Sequence, residues 1–182
     1  DLALQARMAP HFLFNSLSTL KGQIQEDPAE AQQTADRMAS LFRELVDHTA
    51  ESTVPLAREL AWVEAYLGLE RARLGERLQV EVDVPEELEG ASVPPLCLQG
   101  LVENALKHAI SPRKEGGRVL IRAERAGKGV LLSVTDPGDG HSNERGAGRA
   151  LEILRQRLSK SSDLRMEALP GGGHRASILV RA

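Results

Sequence analysis

Residues 1–74 show helical periodicity and no convincing strand pattern. One apolar stripe has the spacing of a single helix face: Leu13, Leu17, Leu20 and Ile24. Asp27-Pro28 is typical of a helix start, and a second stripe follows it: Ala35, Met38, Ala39, Phe42, Leu45 and Val46. The two stripes predict an antiparallel hairpin with a seam too narrow to cover both, so we expect a homodimeric four-helix bundle through these helices.

A third helical stretch is predicted from about Pro55 to Leu74, after which the pattern changes to short alternating runs. Five strands are predicted, at 78–84, 118–125, 129–135, 164–169 and 175–181. Two further helices are predicted, at 96–110 and 147–159. This mixture indicates an α+β fold with helices on one face of a mostly antiparallel sheet. The predicted divisions are a helical region (1–50), a linker helix (51–75) and a sandwich domain (76–182).

Composition narrows the class of protein. The chain has 182 residues, a net charge of −3 and 41% hydrophobic residues, values typical of a globular protein. The absence of a concentrated basic region and the low aromatic content (3%) argue against nucleic-acid binding. The single cysteine, Cys97, cannot form an intrachain disulfide and has the pattern of a core residue.

The start of the chain favours a fragment of a longer protein. It has no initiator methionine or signal peptide, and it opens inside an apparent helix. No apolar run is long enough for a membrane span. We therefore expect a cytoplasmic fragment that makes no membrane contact, whose full-length parent could still be anchored in a membrane.

A histidine near the start of the first helix is the first candidate for chemistry. His11 lies on the face opposite Leu13, follows Pro10, and shares its face with Asn15 and Ser18. A neutral imidazole presented beside a proline kink can act as a nucleophile. The alternative is an ordinary solvated histidine next to a proline.

The helix at 96–110 carries a second polar group opposite its core stripe. Asn104 and His108 are one turn apart, as are Glu103 and Lys107. An amide oxygen suits Mg²⁺, Lys107 and His108 could meet phosphate charge, and Glu103 could accept a proton. A plain surface ion pair between Glu103 and Lys107 is the alternative.

Two glycine-containing turns complete the candidates. Asp136-Pro137-Gly138-Asp139-Gly140 follows an apolar strand, where a carboxylate can accept a hydrogen bond from an exocyclic amine and glycines admit a planar base. Gly146-Ala147-Gly148 precedes a predicted helix whose N-terminus suits a phosphate. An ordinary turn and a flexible loop are the respective alternatives.

In this order the motifs resemble a known family, the LytS-type (YehU-like) sensor histidine kinases. The resemblance covers nearly the whole chain and is carried by PHFLFN at 10–15, YLGLERARLGERL at 66–78 and LCLQGLVENALKH at 96–108. It implies a dimerising helical hairpin followed by a Bergerat-type α/β sandwich with a mixed, mostly antiparallel sheet. It also implies an ATP-dependent protein-histidine kinase of a two-component system, which uses ATP and Mg²⁺ and passes phosphate to a response-regulator receiver domain.

The resemblance also implies residue roles. His11 matches the phosphate acceptor and Glu103 the catalytic polar or base residue. Asn104 matches the Mg²⁺ ligand, and Lys107 and His108 match positions near the phosphates.

The remaining matches concern the nucleotide. Asp136 matches the carboxylate that reads adenine, and Gly138 and Gly140 match the glycines under the base. Gly146 and Gly148 match the lid over the phosphates.

Five positions depart from the family pattern: Pro137, Arg149, Ala150, Ile153 and His174. Two alternatives stay open, and the departures favour the first of them. One is a dimeric signalling scaffold that no longer transfers phosphate. The other is an ATPase or serine kinase on the same nucleotide-binding fold.

Overall fold

A computed structural model describes residues 10–48, 51–138, 154, 158 and 162–181. Three predicted site residues, Gly140, Gly146 and Gly148, lie outside the described residues, as does most of the helix predicted at 147–159. Leu154 is described, and it is helical and buried against Gly100.

The N-terminal hairpin consists of helix α1 (Pro10–Glu26) and helix α2 (Pro28–His48). The predicted start at Asp27-Pro28 is confirmed, because the backbone N–H of Glu30 donates to Asp27 Oδ1 at 3.0 Å. Among the side chains that the structure describes on α2, the buried ones are Ala31, Thr34, Met38 and Leu41, so that of the predicted stripe Met38 is buried, Ala35 is half-buried and Ala39 is exposed. The side chains of Phe42, Leu45 and Val46 lie outside the described residues. The seam follows the buried side chains because α2 packs against both α1 and the next helix.

Part of the apolar stripe on α1 remains uncovered within one chain. Leu17 is 46% exposed and Ile24 is 56% exposed, and the neighbouring Phe14 is 68% exposed. A hairpin that leaves such a face in water is what the expected second copy would cover.

Helix α3 (Leu56–Leu74) forms part of the main core. It follows strand β1 (Val54–Pro55), which pairs antiparallel with strand β3 (Ser92–Val93). The apolar stripe of this helical stretch is buried at Leu56, Val63, Leu67 and Leu74 and half-buried at Leu60. The helix contacts the hairpin on one side and the helix bearing Asn104 on the other. The predicted domain boundaries stay a prediction.

The main sheet has five strands in the order β2-β4-β5-β7-β6. Their bounds are Leu78–Asp83 (β2), Gly117–Ala126 (β4), Gly129–Asp136 (β5), Ser162–Ala168 (β6) and His174–Val180 (β7). Strands β2 and β4 are parallel and the other neighbours are antiparallel, so the sheet is mixed and mostly antiparallel, as expected. The crossover from β2 to β4 contains helix α4 (Cys97–Ala105), which continues into a π-helical turn (Leu106–Ile110).

The two faces of the sheet differ in character. Inward-facing side chains such as Ile121, Leu132 and Ile178 are fully buried, and α4 lies against β5 and β7. The outer face carries cross-strand ion pairs, among them Arg122 with Asp83 at 2.8 Å. The α+β class with helices over one sheet face is therefore confirmed. No helix within the described ranges is both long and apolar enough to cross a membrane.

Cys97, at the start of α4, should be an inert thiol. It is fully buried, and burial together with the nearby Glu59 charge raises its pKa well above the usual range. At about pH 8, near the ordinary thiol pKa, we expect the folded chain to react at least ~100-fold more slowly with a thiol reagent than the urea-unfolded chain. Fast stoichiometric labelling of the native chain would contradict this core position.

Candidate functional site

Helix α4 presents a buried amide at the edge of the core. Asn104 is only 3% exposed, and its Oδ1 has no hydrogen-bond partner among the described residues. A buried amide oxygen without a partner is costly in a folded protein. Such an atom suits a ligand that brings its own positive charge or donor.

The other polar residues of this helix lie around Asn104 in different environments. Glu103 and His108 are half-buried, and Lys107 is exposed. The predicted core stripe, which includes Leu98, Leu101, Val102, Ala105 and Ala109, is buried as expected.

The last turn departs from the predicted regular helix. Residues 106–110 form a π-helical turn, which is wider than an α-turn and is often found at functional sites. Lys107 and His108 are therefore rotated around the helix axis from the positions that ideal α-helical spacing predicts. Sequence periodicity alone does not reveal such a local change of period.

Neighbouring side chains restrain Glu103. Gln99, one turn earlier and buried, donates from Nε2 to Glu103 Oε1 at 2.5 Å. Tyr66 of α3 is buried nearby, and burial raises the pKa of its hydroxyl, with the Glu103 and Glu70 carboxylates raising it further. Tyr66 therefore stays neutral beside a carboxylate that has a defined orientation.

A carboxylate from another helix caps the N-terminus of α4. Glu59 of α3 is 1% exposed and accepts from the backbone N–H of Leu96 at 2.5 Å and of Leu98 at 3.0 Å. These are donors that a helix N-terminus leaves without intrahelical partners, and a negative charge there complements the helix dipole. Glu59 was not among the predicted site residues, although a charged residue within the apolar stripe between Leu56 and Val63 is a signal that could have indicated it.

The predicted turn after β5 is present as far as Gly138. Asp136 is buried, and its Oδ1 accepts from the backbone N–H of Gly138 at 2.9 Å. His174 Nδ1 lies 3.7 Å from the same oxygen. Gly138 has φ +57°, and a Cβ there would lie 2.8 Å from His174 Nδ1 and 2.9 Å from the Gly173 Cα. Only glycine fits this position without displacement.

The Asp136 turn adjoins the C-terminal end of the Asn104 helix. A Cβ on Gly117 would lie 2.6 Å from Pro137 Cγ and 3.1 Å from Ile110 Cδ1, so both residues crowd the same glycine. Arg113, in the loop after the π-helical turn, donates from Nη1 to the Gly138 carbonyl at 2.6 Å. Sequence analysis missed this second connection, because nothing in the local pattern around Arg113 indicates a distant carbonyl.

His11 is not brought into this group by the described contacts. It belongs to the first turn of α1, its side chain lies outside what the structure describes, and α1 packs against α2 and α3. The structure thus assembles the Asn104 helix and the Asp136 turn in one body, with the His11 helix on the other side of α3.

The residues present fit a magnesium–phosphate site better than a protein-only metal cage. In the described part of the chain, no group of three or more His, Cys, Asp or Glu residues could hold a metal ion. Mg²⁺ commonly takes one or two protein oxygens and completes its shell with water and substrate phosphates. The unpartnered Oδ1 of Asn104 meets that requirement.

Comparisons with known proteins agree with this architecture. The family described as histidine kinase matches residues 2–78. A solved structure, the histidine kinase AdeS of Acinetobacter baumannii, matches with a TM-score of 0.54 over 94% of this chain and 97% of that chain. At 13% identity this likeness shows a common fold alone. The class, that of the histidine kinases, is indicated by the family match.

Curated relatives narrow the family. The sensor protein LytS of Staphylococcus saprophyticus is 38% identical over 170 residues, covering 86% of this chain and 29% of that protein. The sensor histidine kinase BtsS of Escherichia coli K12 is 41% identical over 133 residues, covering 73% of this chain and 24% of that protein. The chain belongs to the LytS-type sensor histidine kinases, and it spans less than a third of the length of these relatives.

The Glu59 cap should contribute strongly to stability. Glu59→Ala leaves two buried N–H groups without an acceptor and should lower the free energy of unfolding by about 2–4 kcal/mol. Glu59→Gln, which keeps one acceptor, should cost less. Urea unfolding followed by circular dichroism measures both variants.

Glu64→Ala is the matched control on the same helix, because Glu64 is exposed and its partner is the exposed Arg71. Its effect should stay within about 0.5 kcal/mol. Equal losses for Glu59→Ala and Glu64→Ala would contradict the capping role.

Proposed function

We propose that this chain is the autokinase segment of a sensor histidine kinase, which phosphorylates His11 from Mg-ATP. The phosphoryl group then passes to an aspartate of a response-regulator receiver domain. The observation that carries the proposal is the buried Asn104 Oδ1, which has no described partner and lies on a helix adjoining the Asp136 turn. Membership of the histidine kinases supports the same activity.

A bound nucleotide would contact both the Asp136 turn and the polar residues of helix α4. Asp136 would accept from the exocyclic amine of adenine, with Gly138 and Gly140 beneath the base. Lys107 and His108 would lie toward the phosphates, and the segment with Gly146 and Gly148 would close over them. The buried position of Asp136 favours a hydrogen bond to a base over contact with bulk water.

Asn104 would hold Mg²⁺ through its amide oxygen. The ion, when bound, neutralises phosphate charge and favours departure of the leaving group. The surrounding residues would position the helix and its side chains: Glu59 accepts hydrogen bonds at the start of the helix, and Gln99 donates one to Glu103.

His11 would act as the nucleophile. The lone pair of its unprotonated ring nitrogen forms a bond to the γ-phosphorus, the bond to the bridging oxygen breaks, and ADP leaves. The phosphorylated ring is then cationic and loses the proton of its other nitrogen to Glu103. The resulting phosphoramidate retains enough reactivity to pass its phosphoryl group to a receiver carboxylate.

The two parts must move relative to one another for this reaction. A hinge near residues 50–75 would bring them together, and within that range helix α3 is packed into the same core as α4. A homodimer formed through α1 and α2 would cover Phe14, Leu17 and Ile24.

Mg-ATP affinity tests the nucleotide site. Asn104→Ala, Asn104→Asp and Asp136→Asn should each weaken Mg-ATP binding by at least about tenfold, because each alters a charge or hydrogen bond at a buried ligand contact. Isothermal titration calorimetry measures the affinities. Gln79→Ala, on the outer sheet face, is the control and should bind as the unmodified chain does. Unchanged affinity in all three site variants would refute the site assignment.

His11→Gln tests the phosphate acceptor. Incubation with γ-labelled Mg-ATP should give acid-labile, base-stable phosphate on the unmodified chain and none on His11→Gln, because glutamine has no nucleophilic ring nitrogen. His48→Gln on α2 is the control and should label normally.

The same labelling experiment separates the alternatives. Acid-stable phosphate, or labelling that survives His11→Gln, would favour a serine kinase or ATPase. A chain that gains no thermal stability from Mg-ATP would favour the scaffold, since a ligand at 100 times its Kd should add about 2.7 kcal/mol.

A further inference from the structure

The segment between the π-helical turn and β4 is tied to its surroundings by arginines. Arg73 of α3 donates to Ser111 Oγ at 3.0 Å and pairs with the buried Glu70. Arg77, just after α3, donates to the Ser111 carbonyl at 3.2 Å and also to the Arg113 carbonyl. The backbone that carries Arg113 is therefore anchored to helix α3 and the turn that follows it.

Within the described part of the chain, the guanidinium of Arg113 contacts two residues, Gly138 and Glu115. Nη1 donates to the Gly138 carbonyl at 2.6 Å, while Nε donates to Glu115 Oε1 at 3.0 Å. The pKa of the Glu115 carboxyl lies below its usual range, because its own backbone N–H and the Arg113 guanidinium donate to its charged form. Arg113 is thus oriented by Glu115 on one side and holds Gly138 on the other.

The backbone of Gly138 is oriented by hydrogen bonds. A glycine at positive φ has no side chain to limit its backbone, so its orientation depends on its hydrogen bonds. Its N–H donates to Asp136 Oδ1 and its carbonyl accepts from Arg113. Arg113 therefore restrains the Asp136 carboxylate through a single residue.

We infer that Arg113 is a positioning residue of the nucleotide site, which holds the Asp136–Gly138 turn in the geometry that reads the base, and that Arg77 holds Arg113 in place. This inference rests on the proposed function and deepens it. Arg113 acts on base recognition through Gly138. Its removal should therefore weaken the binding of all ligands that share the base, and the loss of affinity should not depend on how many phosphates the ligand carries.

Four measurements on Arg113→Gln test this role: the affinities for Mg-ATP and ADP, the preference for ATP over GTP, the KM and kcat of autophosphorylation, and the melting temperature without nucleotide. We expect the affinities for ATP and ADP to fall by the same factor, about tenfold for one charge-assisted hydrogen bond. The preference for ATP over GTP should fall as well. The KM for ATP in autophosphorylation should rise while kcat stays within about twofold.

Two further variants serve as a conservative substitution and a control. Arg113→Lys keeps the charge but loses the planar fork, and it should give an intermediate loss of base preference. Arg122→Gln removes an exposed arginine from an ion pair on the outer sheet face and should leave all binding values unchanged.

Base preference decides the outcome even where stability changes. If Arg113→Gln lowers the melting temperature of the free chain, the ratio of the ATP and GTP affinities is measured on the folded Arg113→Lys variant instead. Unchanged ratios in both variants, with an unmodified chain that binds ATP, would overturn the role of Arg113 and leave the proposed function intact. An unmodified chain that binds no adenine nucleotide would overturn the proposed function first.

Discussion

The buried carboxylate of Glu59 is the constraint on which the candidate site depends. It places a negative charge inside the core and stabilises it with the backbone N–H groups of Leu96 and Leu98 at the start of α4. Because these donors belong to the helix that bears Asn104, the cap fixes that helix against α3. Leu96, with φ +62°, shows that the chain adopts an uncommon conformation at this junction.

Polar residues of α3 lie close to α4 along its whole length. Glu59 holds the start of α4, Tyr66 lies near Glu103, and Arg73 reaches Ser111 beyond the π-helical turn. The two helices therefore run side by side in the same direction, and α3 separates the Asn104 helix from the hairpin. Any motion that carries the hairpin toward a nucleotide would leave this packed pair of helices together.

The apolar pattern predicted helices α1 to α4 and the five strands of the main sheet, but not the short strands β1 and β3. The Asp27 cap and the turn at Gly138 follow from local chemistry. What the pattern missed is long-range or irregular. The buried face of α2 is set by two neighbouring helices, the π-helical turn changes the period inside one helix, and the partners of Glu59 lie 37 and 39 residues away. The residues of the candidate site could thus be predicted from their types and spacing, whereas the contacts that support them could be identified only in the folded structure.

In the proposed site, the amide oxygen of Asn104 meets the metal of a bound metal–nucleotide. The most direct measurement is nuclear magnetic resonance of the nitrogen-labelled chain with substoichiometric Mn-ATP, because a paramagnetic ion broadens only nearby resonances. We expect early loss of the Asn104 side-chain amide signal, while the side-chain amide signal of Gln79 on the outer sheet face persists. Bound Mn-ATP that leaves the Asn104 signal sharp would contradict this contact.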